Sequence, residues 1–232
     1  MKVSIILPTY NEAGNIVSLC NNIIENIPSE WDYQIIVVDD NSPDQTCSIV
    51  QQAFNGNPKV ISLLRSSDHG LAKSIRAGIE KADGEKVLVM DTDFTHDPIE
   101  IPKMLHIGKF YDVVSGSRFC QGGQMQSTRH YLASFAYNLI IRLILRTQIQ
   151  DNLGGYFLID KRKMDLLPFD AIFYGYGEYF FRLLHYSQKK GFTLVEIPAY
   201  YRSRNSGESK SNFWKMLVLY TRELIKVRMR NE

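Results

Sequence analysis

The stretch VLVMDTDFTHDP, residues 87–98, runs an apolar segment directly into a group of aspartates. Asp91, Asp93 and Asp97 follow a run that is apolar enough to form a buried strand. Carboxylates placed so close together repel one another unless a cation or hydrogen-bond donors lie between them. The stretch therefore predicts that a buried strand delivers negative charge to a binding site.

Runs of the same apolar, β-branched kind recur through the first half of the chain. They are VSIILP, YQIIVVDD, KVISLLR and KVLVMDTD, at residues 3–8, 33–40, 59–65 and 86–93. Helical periodicity fills the intervals, at residues 12–26, 45–54 and 70–82. This alternation predicts an α/β fold with a Rossmann-type, mostly parallel sheet flanked by helices.

The second half of the chain continues the pattern less regularly. Two further strands are predicted at 111–118 and 193–204, with a long amphipathic helix between them at 129–146. We expect one domain over residues 1–212, followed by a basic amphipathic helix at 213–232.

Composition limits the classes of function. The chain has 232 residues, 44% of them hydrophobic, which is enough for a sizeable core. The net charge of +2 gives no field suited to nucleic acid, so we expect no nucleic-acid partner. Cys20, Cys47 and Cys120 are widely separated and odd in number, which argues against disulfides and zinc and favours a reducing cytosol.

Polar residues cluster where the predicted strands end. Because the carboxyl ends of parallel strands meet at one edge of a sheet, these residues are expected to share a ligand crevice. They are Thr9 to Glu12 after the first strand, Asp39 to Ser42 and Asp44 after the second, and Asp91 and Asp93 after the fourth. Each alone could be a helix cap or a turn residue, as Asn11 or Ser42 could.

Asp91 and Asp93 are predicted metal ligands. Two carboxylates at positions i and i+2 offer hard oxygens to Mg²⁺ or Mn²⁺, and phosphate oxygens can complete the shell. His96 follows them without a second histidine nearby in sequence, and we assign it no role. The chain lacks a GxGxxG after a strand, and GESKS at 207–211 lacks the remainder of a P-loop, so a nucleotide would be held by carboxylates and metal.

Five motifs together resemble the family 2 glycosyltransferases of GT-A fold, most closely the dolichol- or polyprenol-phosphate mannose synthase branch. They are LPTYNE, VVDDNSPD, the DTD at 91–93, SGSRF with Gly122 and Gly123, and RNSGESK. The resemblance implies an inverting, metal-dependent enzyme. It would move a hexose, with GDP-mannose as the usual donor, to a polyprenyl or dolichyl phosphate.

The resemblance also implies roles for individual residues. The nucleotide sugar would be bound by Pro8, Tyr10, Glu12, Asp39, Asp40, Asp44, Asp91, Ser209 and Lys210. Arg118 and Arg204 would surround the donor and acceptor phosphates, and an approximate Arg-x-x-x-Ser motif places Arg129 and Ser134 at the acceptor phosphate. The chain departs from the family at Asp68, where a phosphate-side lysine is missing, and at Thr95, where a glutamine is common.

The catalytic residues expected from this chemistry are Asp91, Asp93, Arg118, Arg204 and Asp151. A lipid phosphate is already ionised at neutral pH, so positive charge to position it matters more than proton removal. Asp151 is the candidate general base if one is needed, and a turn or cap residue is the alternative interpretation.

The carboxy-terminal segment predicts a membrane contact. Aromatic and aliphatic residues alternate with Lys226, Arg228 and Arg230, and the charges are too frequent for a spanning helix. We expect a peripheral protein on the cytoplasmic face of a membrane. The alternative is a helix packed on the core, on a second copy of the chain or on a membrane partner subunit.

Two other functions remain open on the sequence alone. One is transfer from a UDP-sugar to a saccharide hydroxyl in surface-polysaccharide assembly. The other is a nucleotide-sugar-binding regulatory subunit without turnover. The presence of both Asp91 and Asp93 argues against the second, because a protein without turnover does not need them.

Overall fold

The chain folds around a mostly parallel sheet of seven strands, as its alternating pattern predicts. The computed structural model describes residues 1–125, 128–201 and 213–230, with side chains for all of these except 128–130 and 213–216. The strands are β1 (Lys2–Thr9), β2 (Asp32–Asp39), β3 (Val60–Leu64), β4 (Lys86–Val89), β5 (Val113–Ser117), β6 (Gln124–Met125), β7 (Phe157–Asp160), β8 (Leu194–Pro198) and β9 (Tyr200–Tyr201). Across the large sheet their order is β3-β2-β1-β4-β7-β5-β8, and β6 pairs with β9 separately.

Helices cover both faces of the sheet. They are α1 (Ile16–Asn26), α2 (Thr46–Ala53), α3 (Leu71–Lys81), α4 (Ile101–Ile107), α5 (Thr128–Leu145), α6 (Lys161–Met164), α7 (Phe169–Ile172), α8 (Tyr179–Lys189) and α9 (Phe213–Met229). A short 3-10 turn, Pro98–Glu100, leads into α4. The helices predicted between the first four strands are confirmed as α1, α2 and α3, and the predicted long helix is α5.

Burial explains why the central strands read as continuous apolar runs. Every residue of β1 after Lys2 is buried, because α1 packs on one face of the sheet and α3 on the other. Gly78 lets α3 approach closely, since a Cβ there would lie 2.3 Å from Ile6 Cγ2. Each fully buried aliphatic side chain in these layers contributes about 1.5–3 kcal/mol of transfer free energy.

Two features of the sheet differ from the sequence prediction. The strand predicted over 86–93 ends at Val89, which pairs with Ile6 rather than with the end of β1. The antiparallel strand β7 was not predicted, and it lies between β4 and β5. β4 stops three residues before the end of β1, so the loop that carries Asp91 and Asp93 begins at the carboxyl edge of the sheet, where parallel sheets bind their ligands.

The helix α9 packs against α5 and α8. Leu224 and Val227 of α9 are buried in a cluster with Ile141 of α5 and Phe181 of α8. No helix of the described residues is both long enough and apolar enough to cross a bilayer.

A polar cluster joins α9 to the segment before α8. Glu223 of α9 accepts a hydrogen bond from Tyr174 Oη at 2.8 Å, forms an ion pair with Lys226 and lies 3.5 Å from the buried Arg182. Burial tends to raise the pKa of Glu223, but the hydrogen bonds from Lys226 and Tyr174 outweigh it and hold the pKa below its ordinary value. Ionisation of Glu223 is therefore more favourable in the folded protein than in the unfolded chain, and it stabilises the fold.

Candidate active site

The loop after β1 is fastened to the loop after β2 by three successive backbone N–H groups. The pairs are Asn11 with Ser42 Oγ (2.9 Å), Glu12 with Thr46 Oγ1 (3.1 Å) and Ala13 with Asp44 Oδ2 (3.0 Å). The hydroxyl of Thr46 donates in turn to Asp44 Oδ1. The carboxyl edge of these strands is therefore a preformed surface, and Asp44 helps to form it.

Asp39 and Asp40 use their carboxylates to hold the backbone around this edge. They are only 1% and 7% exposed. Asp39 accepts from Cys47 N at 3.0 Å, in the first turn of α2. Asp40 forms an ion pair with Arg65 and accepts from Gly70 N at 2.6 Å, at the start of α3. Two predicted nucleotide-pocket residues thus fix the helix N-termini that border the crevice.

The remaining predicted nucleotide residues lie at the same edge. Pro8 is buried in β1, opposite Val38 of β2. Tyr10 keeps 45% of its surface exposed, and Glu12 is partly buried with Oε2 accepting from Asn15 Nδ2 at 2.8 Å. An exposed aromatic ring beside fixed polar groups offers a face on which a planar base can stack.

Asp91 and Asp93 lie in the loop after β4, in different environments. The side chain of Asp91 is 48% exposed, whereas Asp93 is 6% exposed. Asp93 Oδ1 accepts from the backbone of Thr95 at 3.1 Å and from its hydroxyl at 2.6 Å. Phe94 between them has a positive φ of 64°, which turns the chain sharply. Asp93 is therefore oriented by its own loop, and Asp91 is accessible.

These carboxylates suit a hard divalent cation. Mg²⁺ and Mn²⁺ prefer oxygen ligands, and Mg²⁺ is commonly held by one or two carboxylates together with substrate phosphates. Within the described residues no group of three His, Cys, Asp or Glu side chains could enclose a metal ion. Asp91 and Asp93 fit a cation whose other ligands are water and a diphosphate.

Arg118 and Asp151, both predicted catalytic residues, form a buried ion pair. Asp151 is fully buried and accepts from Arg118 Nε and Nη2, each at 2.7 Å, and from its backbone N at 3.1 Å. The guanidinium also lies 4.9 Å from the ring of Tyr201. Burial tends to lower the pKa of Arg118, but Asp151 outweighs it and holds that pKa above its ordinary value. The guanidinium is thus a fixed positive charge.

The loop that carries Asp151 is supported from α5 and β8. Glu196 of β8 accepts from Asp151 N at 2.9 Å. Asn138 of α5 accepts from Asn152 N at 2.6 Å and donates to the carbonyl of Ser134 at 2.9 Å. Ser134, predicted at the acceptor phosphate, therefore lies one helical turn from a residue that holds this loop.

Several predicted site residues lie outside the described part of the chain. They are Arg204, Ser209 and Lys210, together with the side chain of Arg129. The structure thus brings together the nucleotide edge, the aspartate pair and Arg118, and their roles remain predictions.

The structure also adds residues to which the sequence analysis gave no role. His96 is fully buried between the Asp91 loop and Gly154, and Asn138 and Glu196 hold the Asp151 loop. The sequence does mark Asn138 and Glu196, because each is a polar residue that interrupts an otherwise apolar element. No comparable signal marks His96.

Known proteins similar to this chain include two prenyl-phosphate enzymes. The dolichol-phosphate mannosyltransferase of Pyrococcus furiosus is 34% identical over 218 residues, which are 90% of this chain and 59% of that protein. The undecaprenyl-phosphate mannosyltransferase of Micrococcus luteus is 32% identical over 90% of this chain and 87% of that protein. This chain thus spans less than two thirds of the Pyrococcus relative.

Solved structures share the fold at much lower identity. Glucosyl-3-phosphoglycerate synthase from Mycobacterium tuberculosis, in complex with Mn²⁺, UDP and phosphoglyceric acid, superposes with a TM-score of 0.72 at 15% identity. The match covers 97% of this chain and 76% of that one. A family model described as Glycosyl transferase family 2 matches residues 4–167. On the family match and the two relatives, this chain belongs to glycosyl transferase family 2.

Proposed function

We propose that this protein transfers mannose from a nucleoside diphosphate mannose, with GDP-mannose as the first candidate, to a polyprenyl phosphate. The observation that carries the proposal is that two relatives matching 90% of the chain are both named as mannosyltransferases of a polyprenyl phosphate. Both names support a polyprenyl phosphate as the acceptor and mannose as the transferred sugar. The guanine base rests on the family resemblance alone.

The donor end of the site is built from the strand-edge residues and the aspartate pair. Tyr10 would stack on the base, and Asp39 and Asp40 would support the base and ribose pocket by fixing the loops and helix N-termini around it. Asp91 and Asp93 would hold Mg²⁺ or Mn²⁺, and a cation there neutralises the departing diphosphate. The exposure of Asp91 supports this role, because a ligand must be reached by the metal.

Arg118 would bind phosphate at the acceptor end. Two of its nitrogens, Nε and Nη2, are taken by Asp151, and Nη1 has no hydrogen-bond partner among the described residues. A guanidinium fixed in this way orients an anion without first losing side-chain freedom. We propose Asp151 as the residue that positions Arg118, since its carboxylate is fully buried and fully engaged.

The reaction then needs no general base in the protein. An ionised phosphate oxygen of the acceptor attacks the anomeric carbon on the face opposite the diphosphate. The new C–O bond forms as the bond to the diphosphate breaks, so the configuration at that carbon inverts. Arg118 would orient the incoming phosphate towards the anomeric carbon, and the charge that develops on the departing diphosphate would be stabilised by the cation at Asp91 and Asp93.

The outward faces of α5 and α9 support attachment to an anionic membrane surface, on the cytoplasmic side. Both helices bury one face in a shared cluster and expose large apolar side chains elsewhere. The exposed ones are Leu132, Phe135, Leu139, Ile140, Leu143, Val218, Leu219, Ile225 and Met229. Residues 128–146 contain no acidic residue, and Glu223 is the sole one in 213–230. An apolar face flanked by basic residues and free of exposed acids matches anionic lipid.

A panel of labelled nucleotide sugars tests the function. Each donor is incubated with Mn²⁺ and with undecaprenyl phosphate, dolichyl phosphate, the matched unphosphorylated alcohol or a soluble oligosaccharide. Label is counted in the organic phase for the lipids and on the oligosaccharide in the aqueous phase, and nucleotide binding is measured separately by titration calorimetry. We expect transfer from GDP-mannose to the phosphates and none to the alcohols. Transfer to saccharides from a UDP-sugar would reject the proposal in favour of polysaccharide assembly, and nucleotide binding without any transfer would favour a regulatory subunit.

A further inference from the structure

We propose that His96 is a positioning residue that couples the metal-binding loop to the loop that holds Arg118. The inference rests on the proposed function, because it concerns how the two ends of that site are kept in register. His96 is fully buried and follows Asp91 and Asp93 in the loop after β4.

Both ring nitrogens of His96 bind backbone atoms. Nδ1 lies 2.9 Å from Asp91 N, and Nε2 lies 3.1 Å from the carbonyl oxygen of Gly154. An amide N–H can only donate and a carbonyl can only accept, so these partners select one form of the ring. That form is the neutral imidazole with its hydrogen on Nε2.

Neighbouring rings hold the imidazole in this orientation. The ring of Tyr156 stacks on it at 4.8 Å between centroids with an interplanar angle of 10°, and Tyr201 meets it edge-on at 4.8 Å. His96 Nε2 is 3.7 Å from Asp91 Oδ2, which is too long for a hydrogen bond. The ring therefore contacts Asp91 through a hydrogen bond to its backbone N–H.

The partner on the other side belongs to the Arg118 support. A Cβ on Gly154 would lie 3.3 Å from Asp151 Oδ2 and 2.7 Å from Tyr201 Oη, so this loop is packed without spare room. Asp151 in turn holds Arg118 through a bidentate pair. A single imidazole thus joins the backbone of a proposed metal ligand to the loop that fixes the phosphate-binding arginine.

Two variants separate this role from simple filling of space. His96→Phe keeps a ring between Tyr156 and Tyr201 but leaves Asp91 N–H and the Gly154 carbonyl unpaired. His96→Gln restores one acceptor and one donor on a planar group. Ile23→Ala, on the buried face of α1, removes core volume without changing a partner of His96 and serves as a destabilised control.

The experiment measures Mn²⁺ binding by electron paramagnetic resonance with GDP and, separately, with UDP present, the midpoint of thermal unfolding, and the histidine tautomer by ¹⁵N NMR. Loss of a partner that orients a metal ligand typically weakens metal affinity about 10- to 100-fold. We expect this loss of Mn²⁺ affinity in His96→Phe and a partial recovery of affinity in His96→Gln. Ile23→Ala should keep the wild-type affinity, even if its unfolding midpoint falls as much as that of His96→Phe. The wild-type spectrum should show hydrogen on Nε2 of His96.

The outcomes distinguish this inference from the proposed function, because no acceptor or sugar transfer is involved. Wild-type Mn²⁺ affinity in His96→Phe, or a wild-type ring with hydrogen on Nδ1, overturns the coupling role and leaves the metal site standing. Equal weakening in Ile23→Ala and His96→Phe overturns it as well, since stability alone would then explain the loss. Absence of Mn²⁺ binding by the wild type rejects the metal site itself and the coupling with it.

Discussion

Replacing Asp151 with asparagine tests whether this residue positions Arg118 or acts as a base. The substitution keeps the size of the side chain but removes its charge. It also turns an NH₂ group towards guanidinium donors that now lie 2.7 Å from carboxylate oxygens. We expect the protein to lose both stability and transfer activity, because the guanidinium remains buried without its counter-ion.

The expected magnitude follows from burial. Removing one partner of a buried ion pair costs about 3–5 kcal/mol of unfolding free energy. Arg118 is 8% exposed, so water reaches part of its charge, and we expect the lower end of that range. Arg118→Met leaves the fully buried Asp151 without its partner and should cost more.

A double-mutant cycle gives the decisive measurement. Urea unfolding is followed for the wild type, Asp151→Asn, Arg118→Met and the double variant, without metal or nucleotide. Residues in direct contact couple by about 0.5–3 kcal/mol, and we expect the upper part of that range here. The double variant should therefore be more stable than the sum of the single losses predicts.

One result would refute the reasoning. If the unfolding free energy of Asp151→Asn lies within about 0.5 kcal/mol of the wild-type value, as for ordinary surface substitutions, Arg118 does not depend on Asp151 for its charge balance. Loss of activity at unchanged stability would then favour the general-base interpretation.

Three further predictions concern the metal, the membrane and pH. Asp91→Asn and Asp93→Asn should each abolish metal-dependent transfer with little change in unfolding, because they remove ligand charge and little volume. Arg222→Glu on α9 with Arg230→Glu immediately after it, both at exposed positions, should release the protein from anionic liposomes in flotation assays. Glu223→Gln should destabilise the protein at neutral pH. Because the folded-state pKa of Glu223 is lowered, the difference from wild type should vanish as the pH falls from about 4.3 through that lower value.

Each of these has its own control. Turnover that persists in EDTA would reject a metal role for the aspartate pair. Lys81→Glu with Lys109→Glu reverses two exposed charges outside α5 and α9 and should leave flotation unchanged, whereas equal loss would point to net charge. If the wild-type protein does not bind vesicles but sediments as a dimer in ultracentrifugation, the apolar face is the contact surface for a second copy of the chain. A constant stability gap for Glu223→Gln down to pH 3 would contradict the role given to its carboxylate.

The sheet and its flanking helices could be predicted because their sequence periods are local. β1 and α3 are apolar at the spacing that their own burial requires. β7 has four residues and begins just after Gly154 and Gly155, so it carries too short a pattern to recognise. Its antiparallel place between two other strands depends on long-range pairing, which no local period encodes.

The site was predictable as a set of residue types and much less as a set of contacts. The strand-edge acids were found because parallel strands share an edge. Arg118 and Asp151 were each given separate catalytic roles, yet they bind one another across 33 positions of sequence. His96 was left without a role because its second partner, Gly154, is 58 positions away. Such pairings arise from the tertiary fold.

The fastening of the loop after β1 to the loop after β2 has a calorimetric consequence. Ordering the backbone of a flexible loop costs about 1–2 kcal/mol for each residue, and here Asn11, Glu12 and Ala13 are already held by Ser42, Thr46 and Asp44. A nucleoside that binds this edge contacts a surface whose backbone already lost its conformational entropy when the protein folded. Its association should therefore carry only the heat-capacity change of the area it covers, without the larger change that accompanies coupled folding of a loop. Titration calorimetry of the nucleoside alone at several temperatures would measure that difference.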